Sequence, residues 1–135
     1  MDLNKALNIS AAGMDAQTMR LRVIAENLAN QDTTGSTPGA DAYRRKTITF
    51  ENRVDANTGT ATVQVKKISQ ETADQPLRYD PSNPAANASG YVKTPNVNSF
   101  IEVMDMREAE RSYSANLSVL QATRTMLDRT IDLLK

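Results

Sequence analysis

The sequence predicts a mainly α protein whose long N-terminal and C-terminal helices pair as an antiparallel, coiled-coil-like hairpin. Apolar residues recur at every seventh position near both ends of the chain, which keeps one stripe of each helix facing a partner. All five prolines fall between the two terminal segments. The residues between the helices predict a small β-hairpin, followed by an extended, proline-rich segment.

Three segments follow from this pattern. Residues 1–30 form the N-terminal helix, residues 31–98 contain a linker, the β-hairpin and an extended arm, and residues 99–135 form the C-terminal helix. A chain of 135 residues is short enough for one domain. Its apolar fraction of 39% and aromatic fraction of 4% are low, so we do not expect a large compact core.

The N-terminal helix is predicted over Asp2–Ala29, with Asp2 as its N-cap. Gly13 lies inside it, and so small a residue lets another backbone approach closely. An ordinary amphipathic helix on a core remains an alternative, but nothing downstream offers a large core. We therefore favour pairing with the C-terminal helix, through Leu7, Met14, Leu21, Ile24 and Leu28.

The C-terminal helix is predicted over Ser99–Lys135, and Ser99 with Glu102 matches a capping box. One line of its seam repeats every seventh residue: Met106, Tyr113, Leu120, Leu127 and Leu134. A second line lies three residues earlier, at Val103, Leu117 and Ile131.

Two charges interrupt that second line, at Glu110 and Arg124. A charge at such a position can fix the register at a subunit boundary. The helix spans about 50 Å, at a rise of ~1.5 Å per residue. So short a chain cannot cover all of it, and we expect other subunits to cover the remainder.

The middle of the chain reads as linker, hairpin and arm. Asn30–Ala42 has the Gly, Pro and short polar residues of a linker. Tyr43–Ser69 alternates as two strands around a turn at Asp55–Gly59. An isolated hairpin is marginal in water, so it must lean on a helix or another subunit. Gln70–Asn98 is expected to be irregular, an arm laid over a surface.

Composition excludes several classes of function. Sixteen basic and sixteen acidic residues give no net charge, which argues against nucleic acid as a partner. The chain has no Cys and no His, so thiolate metal sites, disulfides and the commonest general base are absent. No apolar run approaches the ~18 residues of a membrane span. We expect no catalytic residue, no metal and no cofactor, and hence not an enzyme.

The only dense basic cluster is Tyr43-Arg44-Arg45-Lys46. We interpret it as a solvated strand start rather than a phosphate-binding patch, because the net charge is zero. Contact with an acidic patch on a partner protein stays open. The N-terminus lacks the basic-then-apolar order of a secretory signal.

Several runs resemble the bacterial flagellar axial proteins. The N-terminal signature of that family is similar to Ile9–Met14, Val23–Asn30 and Tyr43–Arg45. Within the family, the proximal rod type is the closer resemblance, because its mid-chain signature is similar to Tyr79–Pro81, Gly90–Lys93 and Pro95–Val97. The family's C-terminal helix resembles Glu110–Asn116.

This resemblance implies a structural subunit of the flagellar basal-body rod, the drive shaft that crosses the periplasm. It implies assembly with copies of itself and with other rod proteins, and export through the flagellar type III apparatus without a cleaved signal peptide. The terminal helices would build the inner tube around the export channel. The middle segment would contact neighbouring subunits, and its candidate residues are Tyr43, Arg44, Arg45, Tyr79 and Tyr91.

A second class of function stays open from the residues alone. A soluble adaptor or chaperone-like module could use the same helical hairpin to grip a partner helix. An adaptor would copurify with one cytoplasmic partner, whereas a rod subunit would be found in extracted basal bodies.

Overall fold

The structure, a computed structural model, describes residues 2–56 and 59–133 and contains two long helices and two small sheets. Helix α1 spans Leu3–Ala29 and helix α2 spans Ser99–Asp132. Between them lie β1 (Lys46–Val54), β2 (Ala61–Gln70), β3 (Leu77–Tyr79) and β4 (Tyr91–Lys93). The mainly helical fold with a small sheet region agrees with the sequence prediction.

The chain divides into two compact units, the first built from three stretches of sequence and the second from two. Unit 1 comprises Met1–Leu21, Ile48–Lys67 and Met106–Lys135, and unit 2 comprises Arg22–Thr47 and Ile68–Asp105. The three-segment division made from the sequence concerns roles in an assembly, and it stays a prediction.

Helix α1 begins where the sequence predicts. The side chain of Asp2 accepts a hydrogen bond from the amide of Lys5 at 3.3 Å, which satisfies one free donor of the first turn. At the other end, the side-chain amide of Asn30 donates to the carbonyl of Glu26 at 2.8 Å. These two caps define a helix without an internal break.

Strands β1 and β2 form the predicted hairpin. Their side-chain contacts run in opposite directions along the two strands, from Arg53 with Thr62 to Glu51 with Lys66, so the pair is antiparallel. The amide of Asp55 donates to the carbonyl of Thr60 at 2.9 Å near the turn. Asn57 and Thr58, which belong to the predicted turn, lie outside the described residues.

The hairpin leans on α1 within unit 1, as a two-stranded sheet must lean on something. Val63 and Val65 of β2 face Ala12, Ala16 and Met19 of α1 across a groove of about 250 Å³.

The segment expected to be irregular contains a second sheet. Strands β3 and β4 pair antiparallel, with Leu77 opposite Lys93 and Tyr79 opposite Tyr91. Val92, between these pairs, is fully buried in unit 2. The prediction of a wholly irregular arm is therefore wrong, because three-residue strands flanked by prolines leave too short an alternation to detect.

Candidate assembly surfaces

Helices α1 and α2 approach each other closely within unit 1. A Cβ atom placed on Gly13 would lie 2.7 Å from the side-chain nitrogen of Asn116. One guanidinium nitrogen of Arg20 lies 3.6 Å from a carboxylate oxygen of Glu108. A later residue of α1 therefore contacts an earlier residue of α2, so the two helices are antiparallel here. The absence of a side chain at Gly13 is what permits the approach.

Small residues line the buried side of α2 in unit 1. Ala109 and Thr123 are buried and Asn116 is half-buried, and these three residues follow a seven-residue spacing. The hydroxyl of Thr123 donates to the carbonyl of Val119 at 2.8 Å, so it needs no partner outside the helix. We call Ala109, Asn116 and Thr123 the inner line of α2.

The inner line replaces the second seam line that the sequence predicts. Leu117 and Ile131 are 37% and 48% exposed, and Val103 is exposed as well. Glu110 and Arg124 are exposed too, so they do not interrupt a buried seam. Both candidate lines have the same seven-residue period. The inner line, three residues after Met106, Tyr113 and Leu120, is the one that is covered, because its small side chains allow α1 to come close.

The remaining residues predicted to pair the helices occupy intermediate positions. Ile24 is buried in unit 2. Leu134 lies outside the described residues. The others are half-buried: Leu7, Met14, Leu21, Leu28, Met106, Tyr113, Leu120 and Leu127.

A buried polar cluster joins α1, β1 and α2 within unit 2. The carboxylate of Glu102 has no exposed surface and accepts from Nε of Arg45 at 2.5 Å and from the side-chain amide of Asn27 at 3.1 Å. Asn27, which is also buried, exchanges two hydrogen bonds with the backbone of Lys46, at 2.8 and 2.9 Å. Its carbonyl oxygen also accepts from the hydroxyl of Tyr43 at 2.9 Å. We call Asn27, Arg45 and Glu102 the polar cluster.

Carboxylates around Arg45 stabilise the charge on its guanidinium. Burial works against the charge on Arg45, but its bonds to Glu102 and Glu71 outweigh that cost and raise the pKa of its guanidinium. A further carboxylate oxygen, from Asp105, lies 3.6 Å from a guanidinium nitrogen of Arg45. Burial also raises the pKa of the Tyr43 hydroxyl, which therefore stays a donor.

The basic stretch at residues 43–46 is therefore not a solvated strand start. Arg45 belongs to the polar cluster, and Nζ of Lys46 lies 2.7 Å from a carboxylate oxygen of Glu26. The Arg44 guanidinium lies 3.2 Å from the carboxylate of Asp41 and keeps part of its surface exposed. Sequence alone cannot reveal this, because Glu102 lies 57 positions from Arg45 along the chain.

Helix α2 begins with a cap different from the predicted one. The side-chain oxygen of Asn98 accepts from the amides of Phe100 and Ile101 at 3.0 and 3.3 Å, which makes Asn98 the N-cap. Ser99 instead donates its hydroxyl to the side chain of Gln31. The capping box of Ser99 and Glu102 is wrong, because Glu102 is committed to the polar cluster.

Large apolar side chains remain exposed on α2 within unit 1. Val119, Met126 and Leu133 follow one another at seven-residue spacing and are 51%, 57% and 87% exposed. We call Val119, Met126 and Leu133 the outer side of α2. Seven-residue spacing of exposed apolar groups is typical of a helix that meets another helix. The seams predicted from the sequence do not include Val119, Met126 and Leu133, although these residues share the seven-residue spacing.

Unit 2 also has exposed apolar side chains. Tyr79 and Tyr91 contact each other edge to face, with ring centroids 5.3 Å apart, and both remain exposed. Leu77 of β3 and Phe100 of α2 are also largely exposed. Among the predicted neighbour-contacting residues, the two tyrosines are thus the most accessible.

Among residues 2–56 and 59–133, no group of three or more acidic, His or Cys side chains is placed to hold a metal ion. No helix in this part of the chain is long and apolar enough to cross a lipid bilayer.

Comparison with known proteins gives a consistent family. Residues 7–37 match the family described as flagella basal body rod protein, and residues 88–133 match the C-terminal region of the flagellar basal body rod FlgEFG proteins. The chain is 52% identical over 133 residues to the flagellar basal-body rod protein FlgC of Agrobacterium fabrum, covering 98% of this chain and 96% of that protein.

More distant relatives carry the same name. The FlgC protein of Salmonella typhimurium is 40% identical, with 98% of each chain covered, and that of Bacillus subtilis is 36% identical, with 95% of each chain covered. The similarity therefore extends over both helices and the segment between them.

Proposed function

Because the chain belongs to the FlgC family of flagellar basal-body rod proteins, we propose that it polymerises through its terminal helices to form the drive shaft. Its relatives are structural rod proteins, and the protein is a structural subunit of the flagellar basal-body rod and not an enzyme. Rod proteins assemble with other rod components, and the basal body is its location.

The outer side of α2 carries this proposal. Val119, Met126 and Leu133 expose large apolar surface along one helix, and burying a side chain of this size stabilises an interface by roughly 1.5–3 kcal/mol. Monomeric soluble proteins rarely leave such stripes uncovered. Leu117 and Ile131 are exposed on another side of α2, and their predicted role at the subunit interface is also part of the proposal.

The terminal helices act as one antiparallel, coiled-coil-like hairpin in this proposal. Support comes from the approach of Gly13 to Asn116 and of Arg20 to Glu108 in unit 1. Neighbouring subunits would cover the surface that the half-buried side chains of Leu21, Met106 and Leu120 leave exposed. Such hairpins, packed side by side, would line the export channel.

The segment between the helices would lie outside and contact neighbours, through Tyr79 and Tyr91 above all. Both rings are exposed on a small sheet, and aromatic side chains are common anchors at interfaces. Arg44, in the same unit, keeps part of its surface exposed for a polar contact.

Export through the flagellar type III apparatus without a cleaved signal peptide also belongs to the proposal. Gly13 and Arg20 of α1 contact α2, so the first helix is part of the working fold and its removal would destroy the hairpin. The adaptor or chaperone-like alternative is not favoured, since the relatives of this chain are rod proteins.

Fractionation tests the proposed location and role. A tagged full-length chain, expressed in cells that lack their own copy, should restore swimming and be recovered in detergent-extracted basal bodies. Recovery from the cytoplasm with a single partner, and none in basal bodies, would support the adaptor instead.

Disulfide crosslinking tests the hairpin. The chain contains no Cys, so introduced pairs report without background. Gly13→Cys with Asn116→Cys should crosslink within one chain, because these positions face each other across the helix pair. Gly13→Cys with Ser118→Cys is the matched control, since Ser118 is exposed and is turned away from Asn116 by about 200° around the helix. Equal crosslinking of both pairs would contradict the hairpin.

A further inference from the structure

All sulfur in this chain belongs to methionine, because the sequence contains six Met and no Cys. Met1 lies outside the described residues. Two of the other five are strongly exposed: Met104 in unit 2, at 55%, and Met126 in unit 1, at 57%. The remaining three are half-buried, namely Met14, Met19 and Met106. An oxidant in solution therefore reacts first with the thioethers of Met104 and Met126.

Met126 differs from Met104 in its position on the helix. It stands at the middle of the outer side of α2, seven residues after Val119 and seven before Leu133. Val119 and Leu133 carry hydrocarbon side chains, which mild oxidants leave unchanged. The thioether of Met126 is thus the one group of the outer side that a mild oxidant converts from apolar to polar.

We propose that Met126 is an oxidation site through which hydrogen peroxide controls the assembly of this protein. The sulfur attacks one peroxide oxygen, the O–O bond breaks, and the second oxygen leaves as water after proton transfer. The thioether is oxidised by two electrons to the sulfoxide, and the peroxide is reduced. A methionine sulfoxide reductase reverses the change, in which two thiols become a disulfide and the sulfoxide oxygen leaves as water.

The sulfoxide changes what the outer side can bury. Its oxygen is a strong hydrogen-bond acceptor, and an acceptor that is buried without a donor costs free energy. The side chains of Val119 and Leu133 offer no donor, so an oxidised subunit is excluded from a contact in which a reduced one packs. This consequence rests on the proposed function, in which the outer side contacts other subunits.

The reaction belongs to the subunit before it is assembled. The side chain of Met126 is accessible in the free chain, and contact with another subunit would cover its sulfur. Peroxide therefore acts while rods are being built and has no access to this site afterwards.

Selective oxidation of the purified full-length chain tests the chemistry. The exposure to dilute hydrogen peroxide is kept short enough to leave the helical circular dichroism unchanged. Mass spectrometry of the peptides should then show Met104 and Met126 oxidised at least about threefold faster than the half-buried Met14, Met19 and Met106. A Met126 that reacts no faster than the half-buried methionines would overturn the proposal.

Recovery in basal bodies tests the effect on assembly. Met126→Gln places an uncharged polar group of similar length at the site, as the sulfoxide does, and Met104→Gln is the matched control. In cells that lack their own copy, we expect Met126→Gln in detergent-extracted basal bodies at least about tenfold less than Met104→Gln. Equal recovery of the two variants would overturn the proposal.

The wild-type chain provides a second measurement, which does not depend on how a variant folds. After growth with sublethal hydrogen peroxide, the ratio of Met126 sulfoxide to Met104 sulfoxide should be at least about tenfold lower in basal bodies than in the unassembled chain. An equal ratio would overturn the proposal while the chain is still a rod subunit. Absence of the wild-type chain from basal bodies would instead overturn the proposed function, and with it the control of assembly.

Discussion

The two sides of α2 in unit 1 differ in a way that is the reverse of an ordinary core helix. The inner line, Ala109, Asn116 and Thr123, is small or polar and faces α1. The outer side exposes Val119 and Met126, which are large and apolar. A monomer that maximised its own core would bury the large apolar side chains and expose the small or polar ones. The difference indicates that the pairing of α1 with α2 is built for closeness, and that apolar surface is kept for other chains.

The largest loss of stability should come from breaking the polar cluster on which the start of α2 depends. Arg45→Ala leaves the fully buried carboxylate of Glu102 without its cation, and uncompensated buried charges cost about 3–5 kcal/mol. Chemical denaturation of the purified chain would measure the change in the free energy of unfolding. Arg44→Ala is the matched control, since its ion pair with Asp41 is largely exposed and such pairs contribute roughly 0–1 kcal/mol. Equal losses in both variants would contradict the buried role of Arg45.

A smaller loss is expected from a larger side chain at Gly13 of α1, opposite Asn116 of the inner line. Gly13→Leu places a bulky side chain where even a Cβ lies 2.7 Å from Asn116, and overpacking typically costs about 1–3 kcal/mol. The same denaturation experiment measures it. Gly13→Ala sharpens the comparison, because the side chain of Asn116 can move and Ala gains about 1 kcal/mol of helix propensity over Gly. A Leu variant as stable as the Ala variant would mean that the helices do not approach closely here.

The sequence predicts the elements of this fold better than their contacts. The bounds of α1 and of the hairpin follow from local signals such as Asp2 and the alternation around Phe50. Which line of α2 is covered does not follow from local signals, because Leu117 and Asn116 lie on lines with the same seven-residue period. Only the position of Gly13 on the partner helix decides which line is covered. Likewise, the bond between Arg45 and Glu102 joins residues far apart in the chain, and no local pattern encodes it.

The weakest effect concerns the surface of unit 2. A hydrogen bond from Lys93, together with Arg44, lowers the pKa of the Asp41 carboxyl. Since the pKa is lower in the folded state, this contribution to stability is present above the carboxyl's ordinary pKa and is lost as the pH falls through the folded value. Asp41→Asn should therefore lower the melting temperature slightly at neutral pH and not at all in strong acid. A difference that grows on acidification would contradict this sign.

The most direct test of the outer side as an assembly surface is Met126→Asp. Met126 is 57% exposed, so the change should leave the free energy of unfolding within about 0.5 kcal/mol of the wild type. Cells that carry only this variant should nevertheless fail to build rods and to swim, because an unpaired carboxylate cannot be buried between subunits. Met126→Leu, which keeps an apolar side chain, should swim. Normal swimming by the Met126→Asp cells, with the variant recovered in their basal bodies, would contradict the assignment of the outer side to subunit contacts.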